Sequence, residues 1–286
     1  MTKVLLINSD LAANRGDRAI AEGNIELIKR QFPDAEITGL SEHPFRDRKW
    51  YGIDFINMNF QSLGILDFFR LAHAARRSDI ILWGGGEILK DYTNKAALWY
   101  WAAKISFLSL INPDIYGAFQ GIGPTRSQRS KRTIARVVGH CKLFMVRDQE
   151  SADKLVEWGV DPAKIRAAAD PAILPKAEAI DDALAQKLQA SYDIDDAFLD
   201  DFICVGPRDW FHYKPGGIIP FKYKKPLYKL IGRSVITRED PRHARYVAQL
   251  GSLIARLSHD HPQRHILFIP MHMSETDSWL CNKLRQ

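Results

Sequence analysis

The chain is poor in cysteine. Cys141, Cys204 and Cys281 are its only three, and they lie far apart. No CxxC pair exists, so neither a structural zinc site nor a disulfide framework is indicated. Reduced thiols in a cytoplasmic protein are the expectation. Long apolar runs are scarce too. Val4-Leu5-Leu6-Ile7 ends at Asn8 and Asp10, too soon for a signal peptide. The most membrane-like stretch, Ala96 to Ile111, is interrupted by Lys104 and falls short of the ~20 apolar residues a span needs. It reads as a buried core helix, and a helix lying at a membrane surface is the other reading. Neither common phosphate loop is present. The first strand-to-helix turn, Asn14-Arg15-Gly16-Asp17, holds one glycine and so is not GxGxxG, and no Gly-Lys-Ser/Thr follows a glycine-rich loop. No repeat of fixed period is visible.

What is present is the composition of a folded globular protein: 286 residues, 46% hydrophobic and 26% charged. The length suggests two domains of ordinary size. Short apolar runs alternate with longer amphipathic ones. Val4–Ile7, Ala35–Leu40, Asp79–Trp83, Ile115–Phe119, Lys142–Val146 and Ile165–Ala169 read as strands, with helices over Ala19–Phe32 and Glu150–Trp158. Strands apolar throughout, separated by helices, predict a parallel sheet covered on both faces. Arg46 to Gly64 is less regular. A polar, Ala- and Asp-rich stretch from Lys176 to Asp200 follows, then a second series: strand Phe202–Val205, helix Pro241–His259, strand His265–Ile269 and a helix from about Thr276. The boundary falls near Pro175, giving domains 1–175 and 176–286, the second with only two obvious strands.

The formal net charge is +6, and its excess is concentrated between Arg208 and Arg245. Such a stretch suits a phosphorylated ligand, an anionic membrane surface or nucleic acid, or is simply a solvated loop. No nucleic-acid-binding module accompanies it, so nucleic acid is not expected as a partner.

Open parallel sheets bind ligands outside the carboxyl ends of their strands. The residues there are Asn14, Gly16 and Asp17; Gly84, Gly85, Gly86, Glu87 and Asp91; Gln120 to Pro124; Arg147 and Asp148; Asp170; Arg208 and Asp209; and His272, with Asp277 nearby. The glycine run permits close approach of a ligand to the backbone, and a helix start beside it offers N–H groups to an anion. Structural readings stand beside these. Asp17 and Asp148 are suited to capping helices, Arg147 to pairing with Asp170, and His272 to being an exposed loop histidine.

Taken in order, five strand-end motifs resemble the polysaccharide pyruvyl transferase family. They are Asn14-x-Gly16-Asp17-x-Ala19, Trp83-Gly84-Gly85-Gly86-Glu87-x-x-x-Asp91, Gln120-Gly121-Ile122-Gly123-Pro124, Arg147-Asp148-x-x-Ser151-x-x-x-Leu155 with Gly159, and Asp170-Pro171-Ala172. Gly206-Pro207-Arg208-Asp209-Trp210 and Ile269-Pro270-Met271-His272 look like the opening motifs of that family's second half. The resemblance implies a fold of two Rossmann-like domains facing a cleft, as in GT-B glycosyltransferases. It implies transfer of the enolpyruvyl carbons of phosphoenolpyruvate onto two hydroxyls of a saccharide, often lipid-linked, to form a pyruvate ketal of a cell-surface polysaccharide. Phosphoenolpyruvate would be the donor substrate, with no cofactor and no metal. The expected setting is the cytoplasm, with peripheral contact at the inner face of the membrane.

On this resemblance Arg208 binds the donor's carboxylate or phosphate, because a guanidinium fork pairs with both. His272 is a candidate acid or acceptor-orienting group, and Asp17 and Glu87 are candidates for the sugar hydroxyls. Asn14, Gly16, Gly84, Gly85, Gly86, Asp91, Gln120 and Arg147 would line the substrate site. The first domain would take the acceptor and the second the donor. One departure stands out. The family's later Arg-Leu-His segment has no counterpart after Gln263, and Arg256-Leu257 is followed by Ser258. The expectation is therefore a second domain that is incomplete at its C-terminal end. A GT-B glycosyltransferase using a nucleotide sugar, and an inactive truncated remnant, are the competing readings.

Overall fold

A seven-stranded parallel sheet forms around central strands, Lys3–Ile7 and Ile80–Trp83 foremost, whose residues are buried on both faces. The computed structural model describes residues 1–286 except 9–10, 12–13, 61, 93–94, 177–179, 193, 210–240, 273–276 and 286. Among the described residues the chain divides into a first unit, Met1–Pro175, and a second that runs from Lys176.

In the first unit the strands are β1 (Lys3–Ile7), β2 (Glu36–Ser41), β3 (Asp54–Asn57), β4 (Ile80–Trp83), β5 (Ile115–Gln120), β6 (Leu143–Val146) and β7 (Ile165–Ala167). Their spatial order is β3-β2-β1-β4-β5-β6-β7, and every pairing is parallel. β1 shows why. Its alternate residues Leu5 and Ile7 belong to one buried cluster, Val4 and Leu6 to another. A strand buried on both faces reads as a continuous apolar run.

Helices supply those two faces. On one side, α1 (Arg15–Gln31) lays Ala21, Ile25 and Ile28 against Val4 and Leu6. On the other, α3 (Ile65–Arg77), α4 (Lys95–Ile111), α5 (Gln128–Gly139) and α6 (Gln149–Glu157) bring Leu71, Ile105, Val137 and Leu155 into the cluster around Trp83. The irregular region after β2 holds α2 (Pro44–Tyr51) and β3. Pro44 sits at the helix start, where a missing N–H costs nothing, and Gly52 ends the helix at φ +63°. The stretch Ala96–Ile111 is the core helix α4. Lys104, on its buried side, donates to the carbonyls of Phe60 (2.6 Å) and Ser62 (2.8 Å). Among the described residues no helix is long and apolar enough to cross a membrane.

In the second unit β8 (Phe202–Val205) runs parallel to β9 (His265–Phe268), with Phe202 opposite His265 and Val205 opposite Phe268. Its helices are α7 (Asp182–Tyr192), α8 (Asp196–Asp200), α9 (Pro241–Asp260) and α10 (Asp277–Arg285). Most of the basic stretch between Arg208 and Arg245 lies outside the described residues.

Candidate functional site

The strand order reverses between β1 and β4, and such a switch point opens a crevice at the carboxyl edge of the sheet. Two loops meet there. After β1, Asn14 caps α1: its side chain accepts from the amides of Gly16 (2.9 Å) and Asp17 (3.4 Å). The cap belongs to Asn14, which leaves the Asp17 carboxylate in the first helical turn, where the helix dipole favours a negative charge. After β4 come three glycines in the left-handed region, Gly84 at φ +107°, Gly85 at +108° and Gly86 at +68°.

These glycines are required by space as well as by conformation. A Cβ on Gly84 would stand 2.0 Å from Gln120 Nε2, and one on Gly85 2.7 Å from Ile20 Cγ2. A Cβ on Gly86 would lie 3.1 Å from Asp17 Oδ1, so the Asp17 carboxylate rests directly beside the glycine run. The Gly84 amide donates to Ile7 O (2.9 Å), and Gly86 O accepts from the Gly121 amide (2.8 Å). The run thus ties the end of β1 to the loop after β5.

That second loop is built in the same manner. Gly123 gives room to Glu87, whose Oε1 would be 2.4 Å from an added Cβ and which also pairs with Lys90 at 3.1 Å. Gly121 gives room to the Arg147 guanidinium, which pairs with Asp170 at 3.2 Å. Ser151 Oγ accepts from the Ile122 amide (2.8 Å), and Lys154 donates to Ile122 O (3.1 Å), so α6 holds the loop. Gln120 is fully buried. Its Nε2 donates to Trp83 O at 3.2 Å, while its Oε1 has no partner among the described residues. The edge therefore carries Asp17, Glu87, Lys90, Arg147 and Asp170, a set of charges of both signs able to accept from and donate to hydroxyls.

Two acidic residues are committed to the scaffold. Asp91 accepts from the amides of Arg126 and Ser127, both at 2.9 Å, and so terminates the loop before α5. Burial acts to raise its pKa, but those amides, together with Ser130 and the Lys95 charge, outweigh burial and the net shift is downward. Asp148 caps α6 through the Ser151 amide (2.7 Å). Burial again opposes ionisation there, and the Ser151 contacts with the nearby Arg147 charge bring its pKa below the ordinary carboxylate value.

The second unit gathers a separate polar cluster at the ends of β8 and β9. Asp277, the first residue of α10, is fully buried and accepts from Arg208 Nη1 (2.9 Å), the Asp209 amide (2.8 Å) and the His272 amide (2.9 Å). Three donors and the helix start together offset the cost of burying this side chain away from water. His272 is largely buried, and the reading of an exposed loop histidine is overturned. Three neighbours add to the group. Tyr246 donates to Arg208 O at 2.8 Å, His243 Nε2 faces Asp209 Oδ1 at 3.3 Å, and the His243 ring stacks on Trp279. Burial pushes the Tyr246 phenol up, against the contact with the Arg208 carbonyl. Sequence reasoning passed over His243 and Tyr246. Their only signal is an i, i+3 spacing that puts both on one face of α9. Among the described residues no group of three or more His, Cys, Asp or Glu is arranged to hold a metal ion.

The doubly wound, seven-stranded parallel sheet and its strand-end loops define a protein of the α/β class. The family model for polysaccharide pyruvyl transferases matches residues 14–280, and the chain belongs to that family. No curated protein matches the chain significantly. Among solved structures it is similar to MnaA of S. aureus in complex with UDP, with a TM-score of 0.53 and 10% identity, covering 100% of this chain and 66% of that one. It is also similar to UDP-GlcNAc 2-epimerase from Neisseria meningitidis bound to UDP-GlcNAc, with a TM-score of 0.50 and 9% identity, covering 99% of this chain and 69% of that one. At such identities the likeness is one of fold.

Proposed function

We infer that the chain transfers the pyruvyl group of phosphoenolpyruvate to two hydroxyls of a saccharide, forming a cyclic ketal and releasing phosphate. The observation that carries this reading is the Asp277 cluster in a chain of this family. One buried carboxylate fixes both Arg208 and the backbone of His272. An arginine so held is suited to a donor bearing a carboxylate and a phosphate.

The chemistry needs three services. A general acid delivers a proton to the C3 methylene, which leaves C2 electrophilic. One sugar hydroxyl adds to C2, the C2–O bond to phosphate breaks, and the second hydroxyl adds in its place. Of the two hydroxyl protons, one balances the proton now on C3 and the other leaves with phosphate. His272 is the proposed acid. His243 lies in the same cluster, its Nε2 3.3 Å from Asp209 Oδ1. Asp17 and Glu87 would accept from the acceptor's hydroxyls at the glycine edge. The acceptor is proposed to be a lipid-linked saccharide at the inner face of the membrane, with no cofactor and no metal in the reaction.

Incubation of the chain with phosphoenolpyruvate and a lipid-linked saccharide fraction tests this. Release of inorganic phosphate that depends on the acceptor, with a pyruvate ketal in the product's mass spectrum, is expected. Phosphate release indifferent to acceptor, or none, contradicts it.

A further inference from the structure

The first unit has one surface the proposed chemistry leaves unused. It begins in the loop before α3 and continues along that helix. Leu63 (67% exposed), Ile65 (71%), Leu66 (68%) and Phe69 (61%) stand in solvent within seven residues of chain. Isolated exposed apolar residues are ordinary, but a contiguous group this dense marks an interaction surface. The helix explains the grouping. Leu71 and Ala75 turn to the core, so Ile65, Leu66 and Phe69 lie on the opposite face at spacings of one, three and four.

Charge on that face is not random. Downstream of the apolar residues it carries Arg70, His73, Arg76 and Arg77, all exposed. Its acidic residue, Asp67, is paired with Arg70 at 3.1 Å. The helix thus presents an apolar N-terminal half and a cationic C-terminal half, on an axis about 20 Å long. The apolar end also borders a groove of about 480 Å³ against α4, lined by Leu63, Ile65, Phe68, Tyr100, Ala103 and Phe107. Lys104 anchors this end. Its ammonium bonds the carbonyls of Phe60 and Ser62 just ahead of Leu63.

Topology gives the patch its position. β3 is parallel to the other strands, so the chain leaves it at the sheet's carboxyl edge, and α3 begins there. That is the edge holding Asp17 and Gly84–Glu87.

We propose that the N-terminal half of α3 and the preceding loop insert into the interfacial layer of an anionic lipid bilayer, with Arg70, Arg76 and Arg77 on the headgroups. Apolar burial with adjacent cations is the pattern of a helix that lies in a membrane surface, and anionic lipid is the partner that complements those charges. The docked surface brings the glycine edge to the bilayer. Its use for a lipid-linked acceptor rests on the proposed function, but the docking itself does not.

Co-sedimentation of the full chain with large vesicles separates the two. One set is phosphatidylcholine alone and the other contains phosphatidylglycerol. The expected result is binding to the anionic vesicles that weakens as salt rises. Leu66→Glu with Phe69→Glu should lower the partition at least about tenfold, because a charge replaces each inserted side chain. Arg76→Ser with Arg77→Ser should weaken binding several-fold and flatten its salt dependence. Both pairs are exposed, and unchanged circular dichroism and melting would show that the variants fold. The proposal is overturned if the wild type does not bind anionic vesicles, or if both variants bind like it. It is equally overturned if the wild type is a dimer that Leu66→Glu with Phe69→Glu splits without any vesicle binding, since a second copy would then be the occupant.

Discussion

Arg208 and Asp277 are 69 positions apart in the chain, yet the guanidinium of one donates to the carboxylate of the other at 2.9 Å. The carboxylate is fully buried and also accepts the amides of Asp209 and His272. It fastens the loop after β8, the loop after β9 and the start of α10 to one point.

Asp277→Asn should therefore cost the second unit about 3 kcal/mol, the scale for breaking a buried, hydrogen-bonded charge pair. The single carbonyl oxygen left in asparagine can accept from two of the three donors at most, and its NH2 cannot accept from the third. Urea denaturation followed by a probe in the second unit would show the loss. Arg208→Ala should cost less, because Asp277 keeps both amides, while abolishing donor binding. Equal destabilisation by the two substitutions would contradict this assignment of roles.

The glycine run separates conformation from space. Gly52→Ala, at φ +63° with open space around it, meets only the conformational penalty of about 1 kcal/mol. Gly84→Ala adds a methyl group 2.0 Å from Gln120 Nε2 at φ +107°, so it should cost about 3 kcal/mol. Chemical denaturation of the two variants gives the comparison directly. Equal costs would mean that Gln120 moves aside freely.

Lys104 predicts a pH dependence. Burial brings its pKa down from 10.5 to about 8, against a raising influence from Asp67. Below pH 8 the folded and unfolded chains are both protonated there, and the full cost of burying the charge is present. Between pH 8 and 10.5 the unfolded chain binds a proton that the folded chain has released, so stability gains as pH rises. The difference in unfolding free energy between wild type and Lys104→Met should therefore grow in favour of the wild type across that window. Its slope is at most about 1.4 kcal/mol per pH unit. A flat or falling difference would contradict it.

The three thiols should react very unequally. Cys204 is exposed on β8. Cys141 is buried, and burial pushes its pKa up to about 12 against the Trp83 indole that donates to it. Burial also raises Cys281, helped by the Asp277 charge. A thiol reagent on the native chain should titrate one group fast, with the other two appearing on denaturation. Two fast groups would contradict this.

The parallel sheet was legible because burial on both faces writes itself as unbroken apolar runs, as in Val4–Ile7 and Ile80–Trp83. The strand-end loops followed from it, and the pairing of Arg147 with Asp170 and the capping by Asp148 could be read from chain position. β3 and α3 were not legible. Asp54–Asn57 is an edge strand with polar ends, and α3 leaves Ile65, Leu66 and Phe69 in solvent while burying Leu71, so neither shows a clear amphipathic period. The cap by Asn14 in place of Asp17 depends on one residue of register. The second cluster was legible in part. Arg208, Asp209 and His272 follow their strands, with Asp277 nearby, but His243 and Tyr246 are joined to them only by tertiary packing.

The central claim is that the Arg208 site takes phosphoenolpyruvate. Thermal unfolding with phosphoenolpyruvate and, separately, with UDP- and GDP-sugars tests it most directly. A ligand at about 100 times its Kd stabilises by about 2.7 kcal/mol, which is several degrees for a domain of this size. The account predicts that shift with phosphoenolpyruvate, its loss in Arg208→Ala, and none with the nucleotide sugars. Stabilisation by a nucleotide sugar and not by phosphoenolpyruvate would contradict it.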